Sequence, residues 1–166
     1  FLPATPPEQR PGHGMKEDRM GAFLTGRQLL RLYDAAELWR RYRAAMCRRR
    51  PGSELPHNSF GRYARRVAAF VSAGGSVVIG RLDGDVFLVT HFCPASQRDG
   101  AIALRELCSR RDVCVILAVT HDLAGMLARL GFVAVGETMA EFRGVAVPKV
   151  VMTNRPGSAA RMAEAA

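Results

Sequence analysis

Three side chains in the C-terminal half of this 166-residue chain could hand a proton to or from a reacting group: His91, His121 and Glu137. Imidazole changes charge nearest to neutral pH, and a carboxylate beside it can orient or charge it. His91 ends one apolar run, Val86 to His91, and His121 follows another, Val113 to Thr120. Sites in α/β proteins gather at the C-terminal ends of strands. For each of the three, the alternative is a partly exposed structural side chain.

A second kind of chemistry sits between those runs. Gln97-Arg98-Asp99-Gly100-Ala101-Ile102 joins a strand-like segment to a helical one. A strand that ends in a glycine-containing turn and opens a helix aims unpaired backbone N–H groups at one point, where a phosphate can bind. Gly100 would let the backbone come close to such a ligand, and Arg98 would add charge. The plainer reading is a helix cap. A metal site is a third idea. His91 and Cys93 would share one face of a strand, with Cys108, Cys114 and His121 further on. These spacings match no strong zinc pattern, and Cys108 and Cys114 read as small buried hydrophobes, so no metal is expected.

The fourth feature is charge. Lys+Arg 24 against Asp+Glu 15 gives a net charge of +9, and residues 1–70 carry +8 of it. Arginine supplies 22 of the 24 cations. Arg40, Arg41 and Arg43, followed by Arg48, Arg49 and Arg50, lie along one helical stretch. A guanidinium is a fork suited to phosphate or carboxylate, so an anionic partner follows, either nucleic acid or an acidic protein. The competing explanations are a solvated helix face and GC-rich coding.

The elements that position these groups follow from periodicity. Residues 1–20 hold four prolines and no apolar period, and are expected to form a flexible arm. Leu29, Leu30 and Tyr33 begin a helical pattern. Asp34 and Glu37 fit a capping box for a second helix carrying Leu38, Trp39, Tyr42 and Met46 inward. A third helix is capped by Asn58 or Ser59, with Phe60, Tyr63, Val67, Phe70 and Val71 as its stripe. The period then drops to two. Ser76 to Gly80 and Val86 to His91 read as an antiparallel hairpin turning at Asp83-Gly84. Gln97 to Arg110 is a helix, Val113 to Thr120 a strand buried on both faces, and His121 to Leu130 a helix closed by Gly131. Phe132 to Thr138 and Val147 to Thr153 are strands, and residues 155–166 a tail. One domain over 21–154 is expected, an α/β (α+β) fold with a mixed, mostly antiparallel sheet.

With 48% apolar residues the chain is not a disordered protein, and four cysteines do not make a disulfide scaffold. No apolar run approaches the ~20 residues of a membrane-spanning helix. No membrane partner and no secretory signal are expected. Reduced thiols suit a cytoplasmic protein.

This order of elements resembles the GCN5-related N-acetyltransferase superfamily. The likeness is carried by Ala128-Arg129-Leu130-Gly131-Phe132 followed by Val135-Gly136-Glu137, and by Val89-Thr90-His91 through Gln97 to Leu104. In the second segment Gln97 and Gly100 fit the family's Gln/Arg-x-x-Gly-x-Gly/Ala pattern, while Ile102 replaces the last small residue. The resemblance spans residues 70–153. It implies an acyl-CoA-dependent N-acyltransferase acting on an amine by direct transfer. Acetyl-CoA or another acyl-CoA would be held at pyrophosphate by Gln97 to Ile102 and at pantetheine by Phe87, Val89 and Thr90. The tyrosine that such enzymes often use as general acid falls at Leu127, and no tyrosine follows Tyr63. Direct transfer needs mainly proximity, a neutral amine and an oxyanion donor, so activity does not depend on that residue. The alternative is a non-catalytic acetyltransferase-like protein that is structural or binds nucleic acid, such as a phage or virion component or a DNA-modification protein. Either reading leaves room for a homo-oligomer.

Overall fold

In a computed structural model, residues 21–47, 57–142 and 144–157 are described. The arm at 1–20, Arg48 to Arg50 and the end of the tail lie outside these residues. The described residues form β1 (Ala22–Thr25), α1 (Gly26–Leu32), α2 (Ala35–Cys47), α3 (His57–Arg66), β2 (Ala68–Val71), β3 (Val77–Asp83) and β4 (Val86–Cys93). They continue with α4 (Gln97–Cys108), β5 (Cys114–Val119), α5 (His121–Leu130), β6 (Val133–Phe142) and β7 (Val145–Thr153). None of these helices is long and apolar enough to cross a membrane.

The strands make one sheet in the order β1-β2-β3-β4-β5-β7-β6. Every neighbouring pair is antiparallel except β4 and β5. Alternation along a strand sends successive side chains to opposite faces, and the core divides accordingly. Ala69, Val77, Ile79 and Cys93 pack with Leu29, Leu38, Tyr42, Phe60 and Ala64 of α1, α2 and α3. Phe70, Val78, Phe87, Val115, Leu117, Val150 and Met152 pack with Leu104 and Leu107 of α4 and Leu127 of α5. Helices therefore cover both faces, three on one and two on the other.

The hairpin, α4, β5, and α5 with its left-handed Gly131 cap (φ 113°) stand where periodicity put them. Three expectations change. The third helix stops at Arg66, and its supposed continuation, Ala68 to Val71, is a strand paired on both edges. Ala69 and Phe70 enter opposite cores, which four residues of strand allow and a helical stripe does not. Gly84 and Asp85, not Asp83 and Gly84, form the two-residue loop, because Asp83 pairs with Val86. The capping box lies at Thr25 and Gln28, which open α1 by reciprocal bonds of 3.1 and 2.9 Å. Glu37 instead accepts from Arg40 and Arg41, which hold its carboxyl below the usual range.

Candidate active site

The sheet is not continuous at its centre. β4 and β5 pair only at Val86–Cys114, Phe87–Val115 and Leu88–Ile116. Beyond that point β4 stays with β3 as far as Cys93 opposite Val77, and β5 stays with β7 as far as Val119 opposite Val150. A V-shaped cleft opens between Val89–Cys93 on one wall and Leu117–Val119 on the other. The facing strand edges carry N–H and C=O groups with no ladder partner, which an extended ligand with amide groups could satisfy.

A bulge shapes the β4 wall. Ile79 lies opposite His91 and Gly80 opposite Val89, so Thr90 is the extra residue. Phe87 and Val89 face the α4 side, and after the bulge Phe92 does so, while His91 and Cys93 face α1 to α3. Thr90 is a hub. Its hydroxyl accepts from the Tyr63 hydroxyl at 2.8 Å and donates to the Ile79 carbonyl at 3.2 Å. His91 Nδ1 lies 3.0 Å from the same oxygen. With the single Thr90 proton directed to Ile79, Nδ1–H is the donor and Nε2 is unprotonated. Periodicity placed Tyr63 only in an apolar stripe. Its hydroxyl meets β4 because the bulge turns Thr90 toward α3, and no local pattern announces a bulge.

His91 is 8% exposed, with its ring 4.6, 5.4 and 5.2 Å from those of Tyr42, Phe60 and Tyr63. Burial lowers its pKa to about 4. It is a neutral residue whose ring packs into the α1–α3 core and bonds Thr90. Cys93 is buried beside it, and burial pushes its thiol up to about 12, so it offers no thiolate.

His121 and Glu137, the other two proton carriers, come together. His121 Nε2 lies 3.6 Å from Glu137 Oε1, with the side chains 59% and 72% exposed. His121 follows β5 directly at the open end of the cleft. Glu137 stands in line with it across the sheet, since Val119 pairs with Val150 and Val150 with Glu137. Leu127, by contrast, is buried in the α4–α5 core.

The loop from β4 to α4 is braced from behind. Ser96 caps α4 by accepting from Asp99 N at 3.0 Å. The Asp99 carboxylate turns away into the β2–β3 turn and accepts from Ser76 at 2.6 Å and Ser72 at 3.4 Å. Ser76 Oγ also accepts from Ala95 N at 2.9 Å. Gly100 is buried, and a Cβ there would lie 2.8 Å from both Phe92 and Pro94. The Asp99 carboxylate thus anchors the loop, and the space beside the Gly100 Cα is taken by Phe92 and Pro94. A bulky residue at 100 would test packing before binding. Gln97 and Arg98 stay exposed in the first turn, whereas Ala101 is half-buried and Ile102 is 50% exposed.

Arg41 donates to the Gly75 carbonyl at 2.9 Å and covers the Tyr33 ring, so it is part of the fold. Arg40 bonds Glu37, and Arg43 lies over Trp39. Among the described residues no three His, Cys, Asp or Glu side chains gather as metal ligands.

No protein-family model matches this chain, and no curated protein matches it by sequence. Solved structures do. A Lactobacillus plantarum protein assigned as an N-acetyltransferase superposes with a TM-score of 0.51 at 10% identity, covering 81% of this chain and 97% of that one. This chain shares its fold with that N-acetyltransferase, a mixed, mostly antiparallel sheet with helices on both faces. A GCN5-related N-acetyltransferase from Rhodopseudomonas palustris gives a TM-score of 0.48 at 12% identity, over 81% and 95% of the two chains. The feature of most consequence in this chain's fold is the single parallel pair, β4 with β5, which parts after three residues.

Proposed function

We propose that the cleft binds an acyl-CoA and that the protein transfers the acyl group to an amine. The observation that carries this reading is the parting of β4 and β5 beside the start of α4. The residues present suit such a ligand. The open strand edges at Val89–Cys93 and Leu117–Val119 match the amides of pantetheine. The Gln97 and Arg98 amides that open α4, with the exposed Arg98 side chain, suit a pyrophosphate. When bound, acyl-CoA supplies an activated thioester carbonyl.

The chain's own groups then have defined tasks. The cleft walls hold the thioester next to the amine, which is where most of the rate advantage of direct transfer arises. His121, oriented by Glu137, takes the proton that the amine nitrogen loses as the C–N bond forms. The Tyr63 hydroxyl on the opposite wall would turn from Thr90 and give its proton to the sulfur as the C–S bond breaks. Tyr63 supports this reading because its hydroxyl is held by Thr90 at the bulge, where the cleft begins.

Calorimetric titration with CoA and acetyl-CoA tests the site. Micromolar binding is expected, weakened roughly tenfold by Arg98→Glu, since a phosphate contact is worth on the order of 1.4 kcal/mol. Arg98 is exposed, so this change leaves the fold intact. The absence of heat at millimolar CoA would sink the proposal. With a panel of small amines and thiol release as the readout, Tyr63→Phe is expected to lower kcat roughly tenfold. Its KM for acyl-CoA should change less than twofold. The effect stays at the lower end for acid catalysis because a thiolate is a stable leaving group. An unchanged kcat would remove Tyr63 from the mechanism.

A further inference from the structure

We infer that the outer surface formed by α1 and α3 is a binding surface for the phosphate backbone of a nucleic acid. α1 buries Gly26 and Leu29 and exposes Arg27 and Arg31, four residues apart and so on one side of the helix. α3 buries Phe60 and Ala64 and exposes Arg62, Arg65 and Arg66. The two helices touch. Gly26 N donates to the Val67 carbonyl at 2.7 Å, and a Cβ on Gly26 would lie 1.9 Å from the Ala64 carbonyl oxygen. The start of α1 is thereby pressed against the last turn of α3, and Arg27 joins Arg65 and Arg66 in one patch. Arg81 adds to it. It is exposed one residue beyond the β2–β3 pairing, and alternation from Ile79 puts it on the same face of the sheet.

These helix arginines are grouped on two touching helices and, among the described residues, form no ion pair, unlike those that have a carboxylate beside them. Arg40 and Arg41 pair with Glu37, Arg110 with Asp112, and Arg155 with Asp85. Among the described residues, Arg27, Arg31, Arg62, Arg65 and Arg66 have no acidic partner. Of the two acids among the described residues of this layer, Glu37 is already shared by two α2 arginines, and Asp34 stands exposed at the start of α2. Like charges crowded on adjoining helices repel one another, and a polyanion relieves that repulsion while releasing its own counterions. A rigid row of guanidinium forks suits a row of phosphates at fixed spacing better than the scattered, mobile carboxylates of an acidic polypeptide. The patch lies on helices that contribute no residue to the α4 phosphate point, so the inference does not rest on acyl-CoA binding.

Fluorescence anisotropy with a labelled 20-base-pair duplex decides it, measured from 50 to 200 mM salt. Binding in the 10⁻⁴–10⁻⁶ M range is expected, with a log–log salt slope of about −3 to −4. Arg27→Gln/Arg62→Gln/Arg65→Gln should weaken binding at least tenfold at 50 mM salt and flatten the slope by about 2.7. Arg31→Gln/Arg66→Gln should act in the same direction, and Arg40→Gln/Arg43→Gln should have little effect. Unchanged melting temperatures would show that the variants are folded. No binding at 50 mM salt, or a triple variant that binds like the parent, would overturn the inference. Polyglutamate competing as well as DNA at equal charge would overturn it in favour of an acidic protein.

Discussion

Replacing Asn154 by Ala should cost about 3 kcal/mol of folding stability and lower the melting temperature by roughly 6–12 °C. The reason is the number of backbone groups that depend on one amide. Asn154 Oδ1 accepts from Val115 N at 2.8 Å. Its Nδ2 donates to the carbonyls of Cys108, Arg110 and Val113 at 3.2, 3.1 and 3.1 Å. The β5–β7 ladder ends at Ile116 opposite Thr153, and the next rung is made by this side chain. Ala would leave a strand N–H without its partner and untie the end of α4 from the start of β5. Asn154→Asp separates hydrogen bonding from volume. It keeps an acceptor for Val115 but sets a second oxygen against three carbonyls, so it should be at least as damaging as Ala. An aspartate variant with parental stability would refute this account. The β4–β5 pairing that closes the cleft runs from Cys114 to Ile116 and includes Val115, so acyl-CoA affinity should fall with the same substitutions.

The second large effect is a loss of stability on acidification that belongs to His91. Burial among Tyr42, Phe60 and Tyr63 depresses its pKa from 6.5 to about 4. The folded protein then holds the ring neutral while the unfolded chain takes up a proton. The favourable contribution is complete above pH 6.5 and is lost as the pH falls from 6.5 to 4. The slope approaches 1.4 kcal/mol per pH unit, about 3 kcal/mol in all. Denaturant melts at half-unit steps should show this slope in the parent and a much shallower one in His91→Gln. Proton NMR gives an independent check. The His91 ring signal should stay near its neutral position down to about pH 5, and movement near pH 6.5 would refute the assignment.

Much of this was legible in the sequence, and the misses have definite causes. α4, β5 and α5 were recoverable because each is long enough for its own period to show, and Gly131 marks a helix end that needs a positive φ. The pairing of His121 with Glu137 was half visible, since both were candidates, but only β7 lying between β5 and β6 brings them together. Ala68 to Val71 looked helical because it continues the stripe of α3 in phase. Its true character depends on two neighbouring strands that local spacing does not reveal. Asp99 and Gly100 fitted a phosphate loop by type and spacing. The β2–β3 turn and the Phe92 ring, which claim them, are contributed by other elements. Asn154 stood at the expected edge of the domain with no periodicity to mark it.

The brief contact between β4 and β5 also divides the chain in a way that bears on how it could be taken apart. Strands β1 to β4 come from residues 22–93, and β5 to β7 from residues 114–153. Each half of the sheet is therefore contiguous in sequence. Within the sheet the halves meet at three parallel residue pairs, with α4 and the segment after it as the tether. A break in the segment Ser109 to Val113 would yield two fragments, each retaining its own antiparallel strand pairings. Their reassembly would rebuild the cleft along the seam, making the protein a natural candidate for fragment complementation with the ligand as the glue.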